Sequence, residues 1–322
     1  MLFRSKMKIV FIGAGAIGGY YGGQLAKAGH DITYVVRPAT RKVIESEGLT
    51  LINPEGTEKV SNVSTVSSLD EVDSADLVVS ATKIFGKPAL PENLPEGAAF
   101  MTTENSVEYP LLAEEKYGKQ RFIPAVVRAF IHREGPATAH HMGGMLAWSF
   151  GSIDPATEPL VQALYEALAD TPIKAKIHPD ILSDVWEKAM MVTCFGALGA
   201  VLEKPIGVLR TEYRDSLRAL MVEAAATAKA AGIELKDGTV DKVMSFVDQQ
   251  AEGATSSMQR DILEGLHSEL DSQVGGIVRI AISSGAAAPL HQLVWEALST
   301  KSAKLRGENN TRGAQSPRKA RT

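Results

Sequence analysis

The spacing of apolar positions changes near the middle of the chain. Through the first half, short β-branched runs alternate with stretches of helical spacing; the runs are residues 9–12, 32–36, 77–81, 98–102 and 122–127. Such alternation is typical of a parallel sheet covered by helices. From about residue 179 to residue 299 the apolar residues recur at helical spacing, which predicts a second domain that is almost entirely helical.

Two further segment pairs in the first half predict antiparallel strands at the edge of this sheet. Residues 49–52 and 57–60 flank an Asn-Pro-Glu-Gly turn, and residues 137–141 precede a second run at 145–150. We therefore expect an α/β protein. A Rossmann-type N-terminal domain takes residues 1–178, and a mostly α-helical C-terminal domain takes residues 179–300.

The composition excludes several classes of protein. The chain has 322 residues, 44% of them hydrophobic and 22% charged, which is enough for two cores and unlike a disordered or membrane-spanning chain. Its longest apolar stretch, residues 189–202, is too short to cross a bilayer and predicts a buried helix. One cysteine, Cys194, cannot form an internal disulfide, and the N-terminus lacks a signal-peptide pattern. We expect a cytoplasmic protein.

The net charge of −4 is unevenly distributed. Residues 301–322 carry a net charge of +6, which leaves −10 on residues 1–300. An acidic body does not favour nucleic-acid binding, and the Gly-, Asn-, Ser- and Arg-rich tail from residue 301 is predicted to be disordered. A dispensable extension is preferred over a tail that contacts nucleic acid or a membrane.

A strand followed at once by G-x-G-x-x-G and then by a helix predicts a dinucleotide site. The motif consists of Gly13, Ala14, Gly15, Ala16, Ile17 and Gly18, and the predicted helix covers residues 16–28. Gly13 permits a tight turn, Gly15 lets the backbone approach a pyrophosphate, and Gly18 lets the helix lie close to the strand. The phosphates would lie at the helix N-terminus.

The end of the second predicted strand bears on which dinucleotide is bound. NAD sites usually place Asp or Glu there to bind the ribose 2′-hydroxyl, but here the strand is followed by Arg37, and Asp31 lies at its other end. Arg37 suits a 2′-phosphate, and Lys83, which follows the strand at 77–81, is a second cation for it. The alternative for both is an exposed surface cation. NADPH is therefore the expected cofactor.

Lys188 lies in a helix whose next fourteen residues carry no charge. Burial of an ammonium lowers its pKa, so a half-buried lysine in a cleft can donate a proton near neutral pH. The alternative is a lysine that extends to solvent.

Two serine motifs in the second half mark predicted helix starts. Residues 256–259 fit S-x-x-Q and residues 268–271 fit S-x-x-D, as in capping boxes. Ser257 would lie in a first turn, where free N–H groups attract a carboxylate, and Glu269 in another, where its ionised form is favoured. The alternative is that both residues only cap helices.

Asn105 follows the predicted strand at 98–102. It is expected at the carboxyl edge of the sheet, where open α/β folds bind ligands. Asn there can hydrogen-bond to both a substrate and a cofactor ribose; a turn asparagine is the alternative.

These features resemble the ketopantoate reductase (2-dehydropantoate 2-reductase) family from Met7 to about Ser299. The resemblance is carried by GAGAIGG at 13–19, Arg37, Lys83, Asn105, Trp186-x-Lys188, Ser256-Ser257-Met258-x-x-Asp261 and Ser268-Glu269-Leu270-Asp271. It implies NADPH-dependent reduction of a small 2-oxoacid, ketopantoate, to the hydroxy acid pantoate in a cleft between two domains.

The resemblance also implies a role for each candidate residue. Lys188 would be the general acid that protonates the keto oxygen. Glu269 would bind the substrate hydroxyl and help to place Lys188. Ser257 would hold the substrate carboxylate, and Asn105 would orient substrate and nicotinamide.

Three positions depart from the family pattern. Val192 and Gly196 stand where family members often carry Asn, and Ser106 stands where Gly is usual. Loss of the two Asn amides favours a different or more apolar 2-oxoacid. The first alternative is therefore a reductase or dehydrogenase of a different hydroxy acid on the same fold. A non-catalytic NADPH-binding sensor is the second alternative.

The remaining side chains add no further ligand. His140 and His141 would point to opposite faces of a strand, and Cys194 has no second cysteine with it. We expect no metal, no nucleic-acid partner and no membrane partner, and the oligomeric state is left open between monomer and homodimer.

Overall fold

The structure, a computed structural model, describes residues 6–307 and forms two compact units. The first contains the described residues up to Lys83 together with Ala89–Glu104 and Tyr109–Val185. The second contains Ile84–Pro88, Asn105–Glu108 and the described residues from Trp186 onward. Two short segments from the first half of the chain thus belong to the second unit.

The first unit is built on a curled mixed sheet. Its described strands are β1 (Lys8–Ile12), β2 (Asp31–Val35), β3 (Leu49–Asn53), β4 (Gly56–Val60), β5 (Ser64–Val66), β6 (Leu77–Ser80), β7 (Ala99–Thr102), β8 (Phe122–Gly135), β9 (Thr138–Phe150) and β10 (Lys174–Ile177). Their order is β4-β3-β9-β8-β7-β6-β1-β2-β5, with β10 beside β9. The parallel neighbours β8-β7-β6-β1-β2 confirm the Rossmann-type prediction.

Helices cover this sheet and form nearly all of the second half. They are α1 (Ala16–Lys27), α2 (Pro38–Glu47), α3 (Glu108–Tyr117), α4 (Glu158–Ala167), α5 (Ile181–Leu202), α6 (Ile206–Thr211), α7 (Arg214–Ala230), α8 (Thr239–Asp248), α9 (Ser257–Leu263), α10 (Gly276–Ser284) and α11 (Pro289–Leu305). A π-helical turn, Asp271–Gly275, leads directly into α10. The predicted helical C-terminal domain is confirmed.

Helix α1 follows the nucleotide motif and is unusually rich in glycine. Glycine inside a helix costs up to about 1 kcal/mol relative to alanine, so it needs a packing reason. At Gly22 the reason is contact with β2, because a Cβ there would lie 2.3 Å from Tyr34 Oη. The other side of α1 packs on the sheet through Tyr21, whose ring meets Trp148 edge to face at 5.2 Å. The glycines therefore hold α1 close to the strands that precede and follow it.

The hairpin predicted at residues 49–60 is confirmed, since β3 and β4 pair antiparallel at the sheet edge. The second predicted pair, residues 137–141 with 145–150, is wrong. Both segments belong to the single strand β9, which pairs antiparallel with a long β8. The chain turns earlier, before β9, where Ala137 has a φ of +55°. Gly143 and Gly144, with φ of +86° and +77°, form an irregularity inside β9 and not a hairpin turn.

The C-terminal end of the helical unit lies beyond the predicted boundary at residue 300. Helix α11 continues to Leu305, so residues 301–305 are helical and the predicted disorder is wrong there. Ser302 is buried, and Lys301 Nζ donates to Ala200 O at 3.0 Å and pairs with Glu203 at 2.7 Å. These contacts hold the last turns of the helix. Residues 308–322 of the predicted tail lie outside the described residues.

Within residues 6–307, the 22-residue helix α5 is long and apolar enough to pass a membrane-span test based on length and composition. Two-thirds of its most apolar window, 67%, is buried within the protein. This burial is that of a core helix, as the apolar stretch at 189–202 predicts. The side of α5 at Ala197 and Ala200 packs with α9 and α11 through Met258, Ile262 and Leu298.

Candidate active site

The Gly-rich turn between β1 and α1 is a close backbone packing that depends on glycine. Gly13 N donates to Val35 O at 3.0 Å, and its φ of +97° is one that glycine adopts without strain. A Cβ on Gly18 would lie 2.1 Å from Gly13 O, so only glycine lets the helix start this close to the strand. The first and third glycines of the motif are thus required by the backbone itself.

Gly15 differs from the other two glycines because it faces open space. Apart from Gly15 itself and its two neighbours in the chain, no described atom lies within 4 Å of the position that its Cβ would take. Gly15 is also the N-cap residue of α1, so the N–H groups of the first turn are presented beside this space. An open glycine at a helix N-terminus fits the pyrophosphate of a dinucleotide.

Arg37 and Lys83 follow the two strands that flank β1. Arg37 is exposed and is the N-cap residue of α2, whose first turn carries neutral and basic side chains. Lys83 is also exposed and directly follows Thr82, whose Cγ2 lies 2.7 Å from the Cβ position of Gly13. Both cations are therefore at the carboxyl ends of strands next to the Gly-rich turn.

Lys188 lies on α5 and is half-buried. Its neighbours Ala189 and Met190 are buried, while Val192, one turn further on, is half-buried on the same side as Lys188. The lysine therefore enters a largely apolar helix, as the sequence predicts. Four residues earlier, Asp184 accepts two hydrogen bonds from Arg128 of β8, at 2.9 Å and 2.7 Å. Burial opposes ionisation of Asp184, but the Arg128 hydrogen bonds and charge outweigh it and lower the Asp184 pKa.

Ser257 is the first residue of α9, and Ser256 caps that helix. Ser256 Oγ accepts from Gln259 N at 3.0 Å, which confirms the predicted N-cap. In a capping box the Gln259 side chain would accept from the Ser256 backbone N–H. Here the Gln259 side chain instead bonds to Lys204, because its Nε2 donates to Lys204 O at 2.9 Å. A Cβ on Gly196 would lie 2.2 Å from Ser256 Oγ. The space that a larger side chain would need at position 196 is thus occupied by the start of α9.

Glu269 is buried two residues before the π-helical turn. The N-cap residue of this turn is Leu270, without a side-chain cap bond, so the predicted cap at Ser268 with Glu269 in the first turn is wrong. Its Oε1 accepts from Ile84 N at 3.2 Å, and its Oε2 lies 3.5 Å from Gln273 Nε2. Gln273 Oε1 in turn lies 3.4 Å from Thr193 Oγ1 on α5. Glu269 is therefore connected through Gln273 to the helix that carries Lys188.

The segment around Asn105 belongs to the same unit as Lys188, Ser257 and Glu269. It is attached to the π-helical turn, because Ser106 Oγ donates to Ser272 O at 3.0 Å. The serine that departs from the family glycine thus makes a specific contact. The structure brings Asn105 into the unit of the other three candidates although 164 residues separate it from Glu269.

The sequence prediction lacks Thr193, Ser272 and Gln273 of this network, and also Arg279, which donates to Glu108. Ser272 and Gln273 carried a usable signal, since they lie three and four residues after Glu269 and share its helical face. Thr193 and Arg279 gave none, because their partners come from distant parts of the chain.

Two sequence models of one family match the chain. Residues 9–155 match the model described as Ketopantoate reductase PanE/ApbA, and residues 180–302 match the one described as Ketopantoate reductase PanE/ApbA C terminal. Together they cover well over half of the chain.

Individual relatives match over nearly their whole lengths. A 2-dehydropantoate 2-reductase of Caulobacter vibrioides is 29% identical over 292 residues, which are 89% of this chain and 96% of its own. A PanE/ApbA family ketopantoate reductase from Ralstonia eutropha JMP134 is 25% identical, with a TM-score of 0.79 over 93% of this chain and 100% of its own. D-mandelate dehydrogenase, solved with NADH and anilino(oxo)acetate, also has a TM-score of 0.79 over 93% of this chain and 100% of its own. At 19% identity it shows a shared fold alone.

Proposed function

The chain belongs to the ketopantoate reductase PanE/ApbA family of oxidoreductases, and from that membership we propose that it reduces a small 2-oxoacid to the 2-hydroxy acid with NADPH. Ketopantoate is the first candidate substrate, because the relatives from Caulobacter vibrioides and Mesorhizobium japonicum are 2-dehydropantoate 2-reductases. The small acidic substrate and the reducing cofactor are consistent with a cytoplasmic enzyme.

One observation carries the proposal. Asn105, Lys188, Ser257 and Glu269 lie in one compact unit, although they come from three separate regions of the sequence. A proton donor, a carboxylate, an amide and a helix N-terminus are the groups that a 2-oxoacid reduction requires for protonation, orientation and binding of a carboxylate.

The cofactor assignment is supported by the first unit. The open Gly15 at the start of α1 fits a pyrophosphate, and Arg37 with Lys83 supplies positive charge for a 2′-phosphate. When bound, NADPH supplies the hydride. Whichever of NADPH and NADH is preferred, a nicotinamide dinucleotide is supported, because D-mandelate dehydrogenase, which has the same fold, is solved with NADH.

We assign the roles of the chain's own groups from its resemblance to the family. Lys188 Nζ donates a proton to the carbonyl oxygen as that oxygen becomes an alkoxide. The first turn of α9 at Ser257 binds the substrate carboxylate. Glu269 accepts from the substrate hydroxyl and places Lys188, and Asn105 orients the carbonyl. Burial of Glu269 and the apolar surroundings of α5 limit the water that competes for these contacts.

A second candidate is reduction of a more apolar 2-oxoacid by the same residues. It is favoured by Val192, which replaces a family amide one turn after Lys188, and by the contact of Gly196 with Ser256, which leaves no room for a second amide. A substrate with an alkyl or aryl group would lose less on meeting such a surface than one with hydroxyls.

Initial rates with ketopantoate, pyruvate, 2-oxoisovalerate and phenylglyoxylate, each with NADPH and NADH, test both candidates. We expect Lys188→Met to lower kcat by about 10²- to 10⁴-fold while the Kd for NADPH stays within about threefold. Lys229→Met, at an exposed position of α7, is the matched control and should keep wild-type rates. Near-normal turnover by Lys188→Met would contradict the assignment of Lys188 as the proton donor. Tight NADPH binding without turnover of any oxoacid would instead favour a sensor.

A further inference from the structure

Arg279 of α10 lies between two segments on which the proposed reaction depends. Its Nε and Nη2 each donate to a carboxylate oxygen of Glu108 at 2.7 Å. Its Nη1 donates to Asp271 Oδ1 at 3.2 Å, and Nη2 also donates to Asp271 O at 3.0 Å. Glu108 ends the segment that begins at Asn105, and Asp271 begins the π-helical turn that follows Glu269. One guanidinium therefore joins both segments.

The surroundings of Arg279 favour a fixed geometry. The Arg279 and Glu108 side chains are 21% and 14% exposed, so their ion pair is only partly screened by water. The hydrogen bonds that Arg279 donates to the Glu108 carboxylate raise the Arg279 pKa above its ordinary value. Trp295 lies against the guanidinium, with its ring centroid 5.8 Å away. A parallel pair of N–H donors to one carboxylate is a geometry that Arg provides and Lys cannot.

Gly275 makes room for this arrangement. A Cβ there would lie 2.9 Å from the Trp295 ring, 3.0 Å from Arg279 Nη1 and 3.1 Å from Asp271 Oδ1. The π-helical turn ends at this glycine, and π-turns inside helices are frequent at functional sites. Three polar or aromatic side chains thus pack closely around one glycine, which is typical of a tightly packed contact and not of an incidental surface ion pair.

A second set of bonds connects the same two segments, partly through Ile84. Ser106 Oγ donates to Ser272 O, and Ser272 Oγ donates to Ile84 O, both at 3.0 Å. Ile84 N in turn donates to Glu269 Oε1. Asn105 is thus next to Ser106 of this network and Glu269 is a member of it, so the network connects the two residues.

We propose that Arg279 is a positioning residue that fixes Asn105 relative to Glu269 by holding Glu108 and Asp271 together. The proposal rests on the proposed function insofar as Asn105 and Glu269 are taken to contact the substrate. Its physical reason is that misplacement of reacting groups by about 1 Å can lower a rate by about a hundredfold. Loss of Arg279 also leaves the largely buried Glu108 carboxylate without its partner, which pushes the Asn105 segment toward solvent.

Arg279→Met and Arg279→Lys test the proposal with the full-length enzyme. We expect Arg279→Met to lower kcat roughly 10- to 100-fold with an NADPH Kd within about twofold of wild type. Arg279→Lys keeps the charge and should recover part of kcat. Amide hydrogen exchange should become faster in residues 105–108 and 269–276 and stay unchanged in the β1–α1 turn.

Two further variants separate positioning from a general loss of stability. Arg214 of the same unit makes another bidentate ion pair, with Asp248 at 2.6 and 2.9 Å. Arg214→Met removes this pair and should leave kcat and amide exchange in both segments unchanged. Glu108→Gln should reproduce the Arg279→Met pattern more weakly. The double variant Glu108→Gln with Arg279→Met should be no slower than Arg279→Met alone, because both remove one interaction.

The outcomes are distinct for the two proposals. Unchanged kcat and unchanged exchange in Arg279→Met overturn the positioning role, as does a loss of kcat that Arg214→Met reproduces. If wild type reduces no 2-oxoacid, the proposed function fails. Exchange in residues 105–108 and 269–276 then still decides whether Arg279 holds these segments.

Discussion

Arg37 is the residue on which the choice between NADPH and NADH rests. It stands at the carboxyl end of β2, where an NAD site would place an acid, and it is exposed at the start of α2. Hydrogen bonds to a charged group contribute about 1.5–3 kcal/mol, so Arg37→Ala should weaken NADPH binding roughly 10- to 100-fold. NADH binding should change little.

Titration of tryptophan fluorescence with each dinucleotide measures this preference. Lys42→Ala, an exposed cation on the same helix, is the control and should leave both affinities near wild type. Equal weakening of NADPH and NADH in Arg37→Ala would defeat the assignment of Arg37 to the 2′-phosphate.

Asp184 gives a pH-dependent prediction. Burial raises its pKa, but the hydrogen bonds from Arg128 and the charges of Arg128, His178 and Lys176 together outweigh burial and hold the pKa below the ordinary 3.8. A carboxyl whose folded pKa is depressed stabilises the fold at pH above its unfolded value, and this contribution is lost as the pH falls through the folded pKa. Asp184→Asn should therefore lower the free energy of unfolding by about 1.5–3 kcal/mol at pH 7, and this difference should shrink as the pH falls below 3.8.

Urea unfolding of wild type and Asp184→Asn at pH 7 and pH 3 measures the effect. Asp248→Asn, which breaks an exposed pair with Arg214, should cost less than about 1 kcal/mol at pH 7. A difference for Asp184→Asn that is the same at both pH values would contradict the role given to the Arg128 pair.

At the scale of elements, the contact of α5 with α9 depends on Gly196. Because a Cβ there would lie 2.2 Å from Ser256 Oγ and 2.9 Å from Ser256 Cβ, Gly196→Ala should destabilise the helical unit by about 1–3 kcal/mol. Ser256→Gly removes both obstructing atoms, and a glycine N-cap costs only a few tenths of a kcal/mol. The double variant should thus be more stable than Gly196→Ala alone.

Chemical denaturation of the four proteins in this cycle measures the coupling. Gly253→Ala is the control, because a Cβ on Gly253 meets no described atom within 4 Å. Additive effects of Gly196→Ala and Ser256→Gly would show that the two helices do not conflict at this point.

Elements were predictable where their signals are local. An apolar run predicts β1, and the glycine motif after it predicts the Gly-rich turn and α1. The spacing of Ser256 to Gln259 predicts the Ser256 cap. The predicted hairpin at 137–150 failed because a Gly-Gly pair is compatible with a turn and with an irregularity inside a strand. Pairing with β8, which decides between them, comes from outside the segment.

At the scale of the whole molecule, the candidate cofactor residues and the candidate reacting residues lie in two different compact units. The Gly-rich turn, Arg37 and Lys83 belong to the first unit, and Lys188 with its candidate partners belongs to the second. Since a ligand stabilises only the folded state that binds it, NADPH at a hundredfold excess over its Kd should stabilise the protein by about 2.7 kcal/mol.

Calorimetric unfolding with and without NADPH measures this gain. At the same NADPH concentration, Arg37→Ala should be stabilised less than wild type. Lys229 is an exposed residue of α7 in the second unit, and Lys229→Ala should be stabilised as much as wild type. If NADPH stabilises Arg37→Ala as much as wild type, Arg37 does not contribute to NADPH binding.

The sequence by itself determined the class of fold, the nucleotide turn and the identities of the candidate reacting groups. These follow from periodicity and from motifs whose residues are neighbours in the chain, such as Gly13 to Gly18. Only the tertiary structure decided how the site is supported. The partnership of Arg279 with Glu108, the bond from Ser106 to Ser272 and the conflict between Gly196 and Ser256 join residues from 60 to 171 positions apart. No local spacing encodes such contacts, because they exist only after the helices and strand-end segments have packed.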